Sequence, residues 1–87
     1  MVTGKTKTGF SFAFEKSKVN DMRVIRALGR VDNGDALALE EVGRRVLGEE
    51  LYDKLLKHIE TEDGRQPVDA LVTEINEIFS ASNDGKK

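Results

Sequence analysis

The 87-residue sequence contains no cysteine, no tryptophan, one proline and one histidine, and these scarcities exclude several kinds of site. Without cysteine the chain forms no disulfide, no thiolate metal site and no cysteine nucleophile. The single histidine, His58, has no second histidine or cysteine with which to complete a conventional zinc site. The sequence therefore predicts no metal and no cofactor.

Long apolar runs are also missing. No segment approaches the roughly 20 apolar residues that cross a bilayer, and the first residues lack the charged and apolar regions of a signal peptide. No Ser-His-acid constellation and no convincing carboxylate pair is evident, so we expect neither an enzyme nor a small-molecule substrate. We expect a cytoplasmic protein without a membrane partner.

What is present is periodic hydrophobicity of two kinds. Phe10, Phe12 and Phe14 alternate with smaller or polar residues, which predicts a β-hairpin over residues 2–15 with its turn at Thr8-Gly9. Apolar residues at three- and four-residue spacing then predict three to four helices. The predicted fold is α+β and mainly α, with the hairpin packed on a compact helical bundle. Residues 1–81 form one domain, and 82–87 read as a flexible tail.

The helix boundaries follow from capping residues and glycines. A cap at Ser17 or Asn20 begins a first helix that ends near Val31, with an apolar stripe of Val19, Met22, Ile25, Leu28 and Val31. Asp35 is the predicted cap of a second helix that ends near Leu47. Gly43 within it indicates a close packing contact or a bend. Helices at 50–62 and 67–81 are expected to pair at the centre of the bundle, with Leu55 and Ile75 in the core.

Five residues are candidates for binding a partner. Arg23, Arg26 and Arg30 fall within an arc of about 60° on the first helix, where aligned guanidinium groups suit phosphates or carboxylates. A solvated face or internal ion pairs would give the same pattern. Phe10 and Phe12 belong either to the core or to a strand edge that binds a partner.

Charge is divided unevenly along the chain. Residues 1–30 carry seven basic and two acidic residues, for a net charge of +5, whereas residues 31–63 carry four basic and ten acidic residues, for −6. Attraction within the chain explains this division, and so does a basic surface for an acidic partner. A nucleic-acid-binding regulator is an alternative function that would use the three arginines. A sequence pI near 5.4 makes nucleic acid a poor partner.

Several short sequence motifs occur along the chain in a distinctive order. They are Lys-Thr-Lys-Thr-Gly-Phe-Ser-Phe at 5–12, Met22, Ala27-Leu28, Leu-Gly-Glu-Glu-Leu-Tyr at 47–52, His-Ile-Glu-Thr-Glu-Asp-Gly-Arg at 58–65, Pro67-Val68 and Glu-Ile-Phe at 77–79. In this layout nearly the whole sequence resembles the small tail assembly chaperones of long-tailed, siphovirus-type bacteriophages and prophages. It departs from them at Arg23, Arg26 and Arg30, since more acidic helices are associated with that group.

The resemblance implies a non-enzymatic role in the cytoplasm of a bacterial host. Such a chaperone binds the aggregation-prone tape measure protein and helps tail tube subunits assemble around it. The expected partners are the tape measure protein and the tail tube protein, with self-association through the hairpin edge as a further option. A protein-interaction module outside phages is the remaining alternative.

Overall fold

The computed structural model describes residues 1–82, and the prediction of a flexible tail at 83–87 lies outside the described residues. Its elements are β1 (Val2–Lys5), β2 (Ser11–Phe14), α1 (Met22–Asp32), α2 (Ala38–Leu47), α3 (Glu49–Ile59) and α4 (Val68–Ser82), with a short 3-10 helix at Lys16–Lys18. The predicted class, α+β and mainly α with an N-terminal hairpin, is confirmed. Ser82, assigned to the tail in the prediction, is the last residue of α4.

The hairpin supplies one side of the core. Its strands are antiparallel, with Val2 opposite Phe14, and the Gly9 N–H donates to the Thr6 carbonyl at 2.9 Å to close the predicted turn. Alternate side chains of β2 are buried, as the strand period requires. The strands lie against α4 and α2, and the Phe14 ring centroid is 6.4 Å from that of Phe79. The helices thus cover the hairpin's aromatic face.

Helix α1 begins later than predicted. The capping residue is Asp21, whose extended backbone lets its carboxylate accept a hydrogen bond from the Arg23 N–H at 2.8 Å. The predictions of a cap at Ser17 or Asn20 are therefore wrong. The reason is local, because residues 16–18 form the separate 3-10 turn and the chain becomes extended only at Asp21.

The buried face of α1 differs in part from the predicted stripe, of which Val19, Leu28 and Val31 pack against the core as predicted. Met22 and Ile25 are 58% and 48% exposed, whereas Val24 and Ala27 are fully buried. Both series have helical spacing, so periodicity did not distinguish them. The smaller Ala27 allows close approach to α2, and this helix pair has the most extensive contact between helices in the described chain.

The ends of α2 differ in how well the sequence predicted them. Asp35 does not cap the helix, which begins at Ala38 after Leu37 without a side-chain cap. The Asp35 carbonyl instead accepts a hydrogen bond from the Ala38 N–H at 3.1 Å, and the Asp35 carboxylate lies 3.7 Å from the Arg30 guanidinium. The C-terminal end is where it was expected, at Leu47. Gly48 has a φ of +86°, which favours glycine, and it turns the chain directly into α3.

The predicted apolar faces of α3 and α4 form the centre of the core. Leu55 and Ile75 are 0% and 1% exposed. Tyr52 is fully buried against Gly43, where an added Cβ would lie 2.2 Å from the tyrosine Cε1. Of the two explanations offered for that glycine, the close packing contact is correct. The direct contact between α3 and α4 is less extensive than that between α1 and α2.

Candidate interaction surface

Phe10 and Phe12 are placed in the core. Each is 6% exposed, and Phe12 stacks on Phe14 with ring centroids 6.1 Å apart. Phe10 contacts the His58 ring, with 5.3 Å between centroids. Both rings therefore have the packing that their core alternative predicts, and in this structure they offer no free surface to a partner.

The three candidate arginines are divided between two roles. The Arg30 Nη2 donates to Glu41 Oε1 at 2.6 Å and its Nε lies 3.7 Å from Asp35, so this guanidinium is engaged within the chain. Arg23 and Arg26 are exposed and form no ion pair with any residue in 1–82. The predicted row of three is therefore reduced to two available cations, which weakens the nucleic-acid alternative.

Exposed apolar side chains also meet where α2 begins, α3 ends and α4 begins. Leu37 is 80% exposed and Val68 is 54% exposed, and both line one open depression of about 180 Å³ with Leu56. This depression shares Leu56 and Gln66 with a larger one of about 480 Å³ along α3. It shares further residues with a third depression, of about 140 Å³, that reaches Val31 and Val72. We call this continuous feature the α2–α4 groove and define it by Leu37, Leu56, Gln66, Val68 and Val72.

The rim of the α2–α4 groove is charged along α3. Glu50, Asp53, Lys54 and Lys57 line its larger depression. Lys54 and Lys57 form no ion pair within residues 1–82, whereas Asp53 lies 3.6 Å from the Arg44 guanidinium. An apolar floor beside available cations suits an amphipathic helix that also carries acidic side chains.

Beside the groove, an ionic network fixes α2 against α3. The Tyr52 hydroxyl donates to Glu40 at 3.1 Å, and the Arg44 guanidinium lies 4.9 Å from the centroid of the tyrosine ring. Burial, reinforced by the negative charge of Glu40, raises the pKa of Tyr52. Partial desolvation acts to lower the pKa of Arg44, but Glu49 and Glu40 outweigh it and raise that pKa. The charges and hydrogen bonds of Tyr52, Glu40, Arg44 and Glu49 are thus satisfied by one another, which indicates a structural role for this network.

A second ion-paired site joins α1 to α2. Glu41 accepts hydrogen bonds from Arg45 at 3.2 Å and from Arg30 at 2.6 Å. The hydrogen bond from Arg45, aided by Arg30 and opposed by desolvation, lowers the pKa of the Glu41 carboxyl. Because this carboxylate is exposed, the pairs stabilise the fold only modestly. They do, however, occupy the third candidate arginine.

The hairpin tip carries a polar cluster. The Thr8 hydroxyl donates to Glu74 at 2.7 Å and lies 2.9 Å from His58 Nε2, while the Lys7 N–H donates to Glu77 at 2.9 Å. These bonds dock the tip on α3 and α4. His58 is exposed, and no group of three metal-ligating side chains lies within residues 1–82.

The groove was not found from the sequence. Val68 was expected as part of the helix at 67–81, and Leu37 was given no role in packing. The signal that was available is Leu37 itself, a leucine at a helix start without an apolar neighbour at the spacing of its own helix. Whether such a residue is covered depends on where α3 ends and α4 begins, which periodicity does not report.

The fold and this surface define a small α+β domain with an open apolar groove. No protein-family model, no curated protein and no solved structure matches this chain. Within residues 1–82, every helix is too short or too polar to cross a membrane.

Proposed function

We propose that this chain is a non-enzymatic phage tail assembly chaperone that binds the tape measure protein through the α2–α4 groove and aids tail tube assembly. The proposed place of action is the cytoplasm of the bacterial host. The observation that carries the proposal is the exposure of Leu37 and Val68, 80% and 54%, in one open groove. The tape measure protein is proposed as the client because the resemblance in sequence layout implies it.

The groove suits a helical client. An amphipathic helix places side chains at i, i+3, i+4 and i+7 on one face, and such a row fits a shallow channel between helix ends. Fully burying one exposed leucine or valine is worth about 1.5–3 kcal/mol. Leu37 and Val68 therefore provide enough apolar surface for a weak contact but not for a permanent complex.

Weak single contacts agree with the role of a chaperone on a long client. Several copies bound along one tape measure protein would each cover a short apolar segment, and release would need no large free energy at any one site. Glu50, Asp53, Lys54 and Lys57 give the rim charges of both signs, which suits client helices that carry charged residues beside their apolar face.

The test is co-expression of the chain with the tape measure protein encoded nearest its gene, followed by size-exclusion chromatography and mass measurement. We expect a soluble complex that contains several copies of this chain for each client. Leu37→Glu should abolish it, because the charge enters the apolar floor. Asn33→Glu is the matched control, since it adds the same charge to the exposed α1–α2 connection outside the groove.

Three results would contradict the proposal. The client might be equally soluble without this chain, or insoluble in its presence. The complex might also survive Leu37→Glu as well as it survives Asn33→Glu, which would remove the groove from the binding site. Thermal melts of both variants check that any loss is not caused by unfolding.

A further inference from the structure

The outer face of α1 has the spacing of a helix-packing surface. Met22, Ile25, Arg26 and Gly29 stand at i, i+3, i+4 and i+7 and fall within an arc of about 100°. The inner face, centred on Val24 and Ala27, uses the same spacing about 160° away and packs on α2. Helix α1 thus carries two such faces, of which only the inner one is packed within residues 1–82. We call the outer one the α1 seam and define it by those four residues.

The α1 seam combines apolar and cationic groups. Met22 and Ile25 are 58% and 48% exposed, an unusual state for two large apolar side chains one turn apart. Arg26 lies within the seam and Arg23 lies beside it, and neither forms an ion pair with any residue in 1–82. Arg30 is excluded because Glu41 and Asp35 hold it.

Because Gly29 has no side chain, the α1 seam does not protrude at its C-terminal end. It is exposed, and a Cβ added there would meet no atom within 4 Å. A glycine in a helix interior costs about 1 kcal/mol relative to alanine, and no neighbour within the described residues requires it here. A missing side chain on a helix surface allows a second helix to approach closely.

We propose that the α1 seam binds an acidic amphipathic helix of another protein. Apolar side chains of that helix would cover Met22 and Ile25, its backbone would pass over Gly29, and its carboxylates would pair with Arg23 and Arg26. Arginine suits this role because its planar guanidinium binds carboxylates in a bidentate manner. This site is separate from the α2–α4 groove and does not depend on the proposed function.

The apolar pair favours a protein helix over nucleic acid. A phosphate backbone offers nothing that would cover Met22 and Ile25, and two available guanidinium groups form a small cationic footprint for a duplex. A helix with leucines beside glutamates complements both the apolar and the charged parts of the seam.

The test uses the full chain, labelled with 15N, and a synthetic amphipathic helix of about 20 residues that has leucines on one face flanked by glutamates. We expect the amide signals of α1 to shift on titration, centred on the seam. The double substitution Arg23→Glu and Arg26→Glu should weaken binding by about tenfold or more. A peptide with lysines in place of the glutamates should not bind.

Two control variants separate the seam from general charge and from folding. Lys16→Glu with Lys18→Glu removes the same charge from the neighbouring 3-10 helix and should leave affinity for the peptide nearly unchanged. Met22→Ser with Ile25→Ser should weaken binding while the melting temperature is preserved, because both side chains are already exposed. Leu37→Glu in the groove should not affect this titration, so the two proposals fail independently.

Four outcomes would overturn the proposal. The lysine peptide might bind as well as the glutamate peptide, or the Arg23 and Arg26 substitutions might have no more effect than the lysine controls. A DNA duplex at low salt might bind this face more tightly than the peptide, which would assign it to nucleic acid. Sedimentation might show that the chain alone associates through the seam, which would make a second copy its occupant.

Discussion

At the scale of single residues, the contact between Gly43 and Tyr52 joins α2 to α3. The Tyr52 ring occupies the space that a side chain at Gly43 would need. Its hydroxyl donates a hydrogen bond to Glu40, which lies on α2 together with Gly43. Arg44 covers the ring from one side at 4.9 Å. The large Tyr52 side chain is thus buried while its hydroxyl keeps a hydrogen-bond partner.

This contact predicts opposite effects for two glycine substitutions. Gly43→Ala should destabilise the protein by about 1–3 kcal/mol, because its Cβ would overlap the Tyr52 ring and buried aromatic side chains do not move freely. Gly29→Ala, on the open surface of α1, should instead stabilise it by up to about 1 kcal/mol.

Urea denaturation of the two variants provides the measurement. Both substitutions replace a helical glycine by alanine, so helix propensity contributes equally and the difference reports the Tyr52 contact. Equal stabilisation by both would show that the ring can move away, contrary to the packing described above.

At the scale of elements, the sequence predicted which segments are regular better than it predicted their faces. The hairpin and four helices follow from the alternation at Phe10 to Phe14 and from apolar spacing elsewhere. Of the predicted α1 face, Leu28 and Val31 do pack against the core, but Met22 and Ile25 were wrong because two series fit the same period, and the small Ala27 marks the closest part of the interface. Side-chain size at a helix crossing depends on the neighbouring helix, which periodicity alone does not contain.

The caps show a similar limit. Asp21 and Asp35 are both acidic residues near the start of a helix, yet only Asp21 accepts a hydrogen bond from its helix with its side-chain carboxylate. Asp35 is drawn instead toward Arg30, a residue on the preceding element. Competition with a tertiary ion pair is not visible in a capping rule that considers only the following residues.

The cap at the start of α1 gives a prediction with internal controls. Asp21→Ala should lower the free energy of unfolding by about 0.5–2 kcal/mol, since the Arg23 N–H loses its acceptor. Ser17→Ala and Asn20→Ala should change it by less than about 0.5 kcal/mol, the range for surface positions. Chemical denaturation would measure all three, and a larger loss at Ser17 or Asn20 would restore the cap that the sequence suggested.

At the scale of the whole molecule, the candidate surfaces arise from how elements meet. The α2–α4 groove needs three helix ends, and its residues are far apart in sequence, so no local pattern indicates it. The sequence indicates part of the α1 seam, because Arg23 and Arg26 were expected on an outer face of the first helix. Its apolar members were assigned to the core, and they became surface residues only once the packing of α1 on α2 was known.

Stability of the whole chain should fall at alkaline pH through Tyr52. Burial raises the pKa of this group in the folded state, so the unfolded chain loses its phenolic proton first as the pH rises. The contribution of Tyr52 to the free energy of unfolding is fully present below the ordinary tyrosine pKa of about 10. This contribution declines as the pH rises above that value. The folded chain should therefore unfold more readily near pH 11 than near pH 8.

Tyr52 is the only tyrosine, so its ionisation can be followed directly by phenolate absorbance. We expect that absorbance to rise together with unfolding above pH 10, and we expect Tyr52→Phe to lose less stability between pH 8 and 11 than the parent. Phenolate absorbance that appears near pH 10 in a fully folded chain would contradict the prediction.

Because the hairpin tip binds Glu74 and Glu77, β1 and β2 dock on a helix that is translated after them, the last described helix of the chain. During synthesis, Phe14 therefore leaves the ribosome well before Phe79 of α4 arrives to pack against it. A nascent chain that stops before residue 68 lacks this contact and the hydrogen bonds that dock the hairpin tip on α4, and apolar surface exposed in this way aggregates and attracts proteases. Translation through α4 is thus the step that separates a vulnerable fragment from a protected domain.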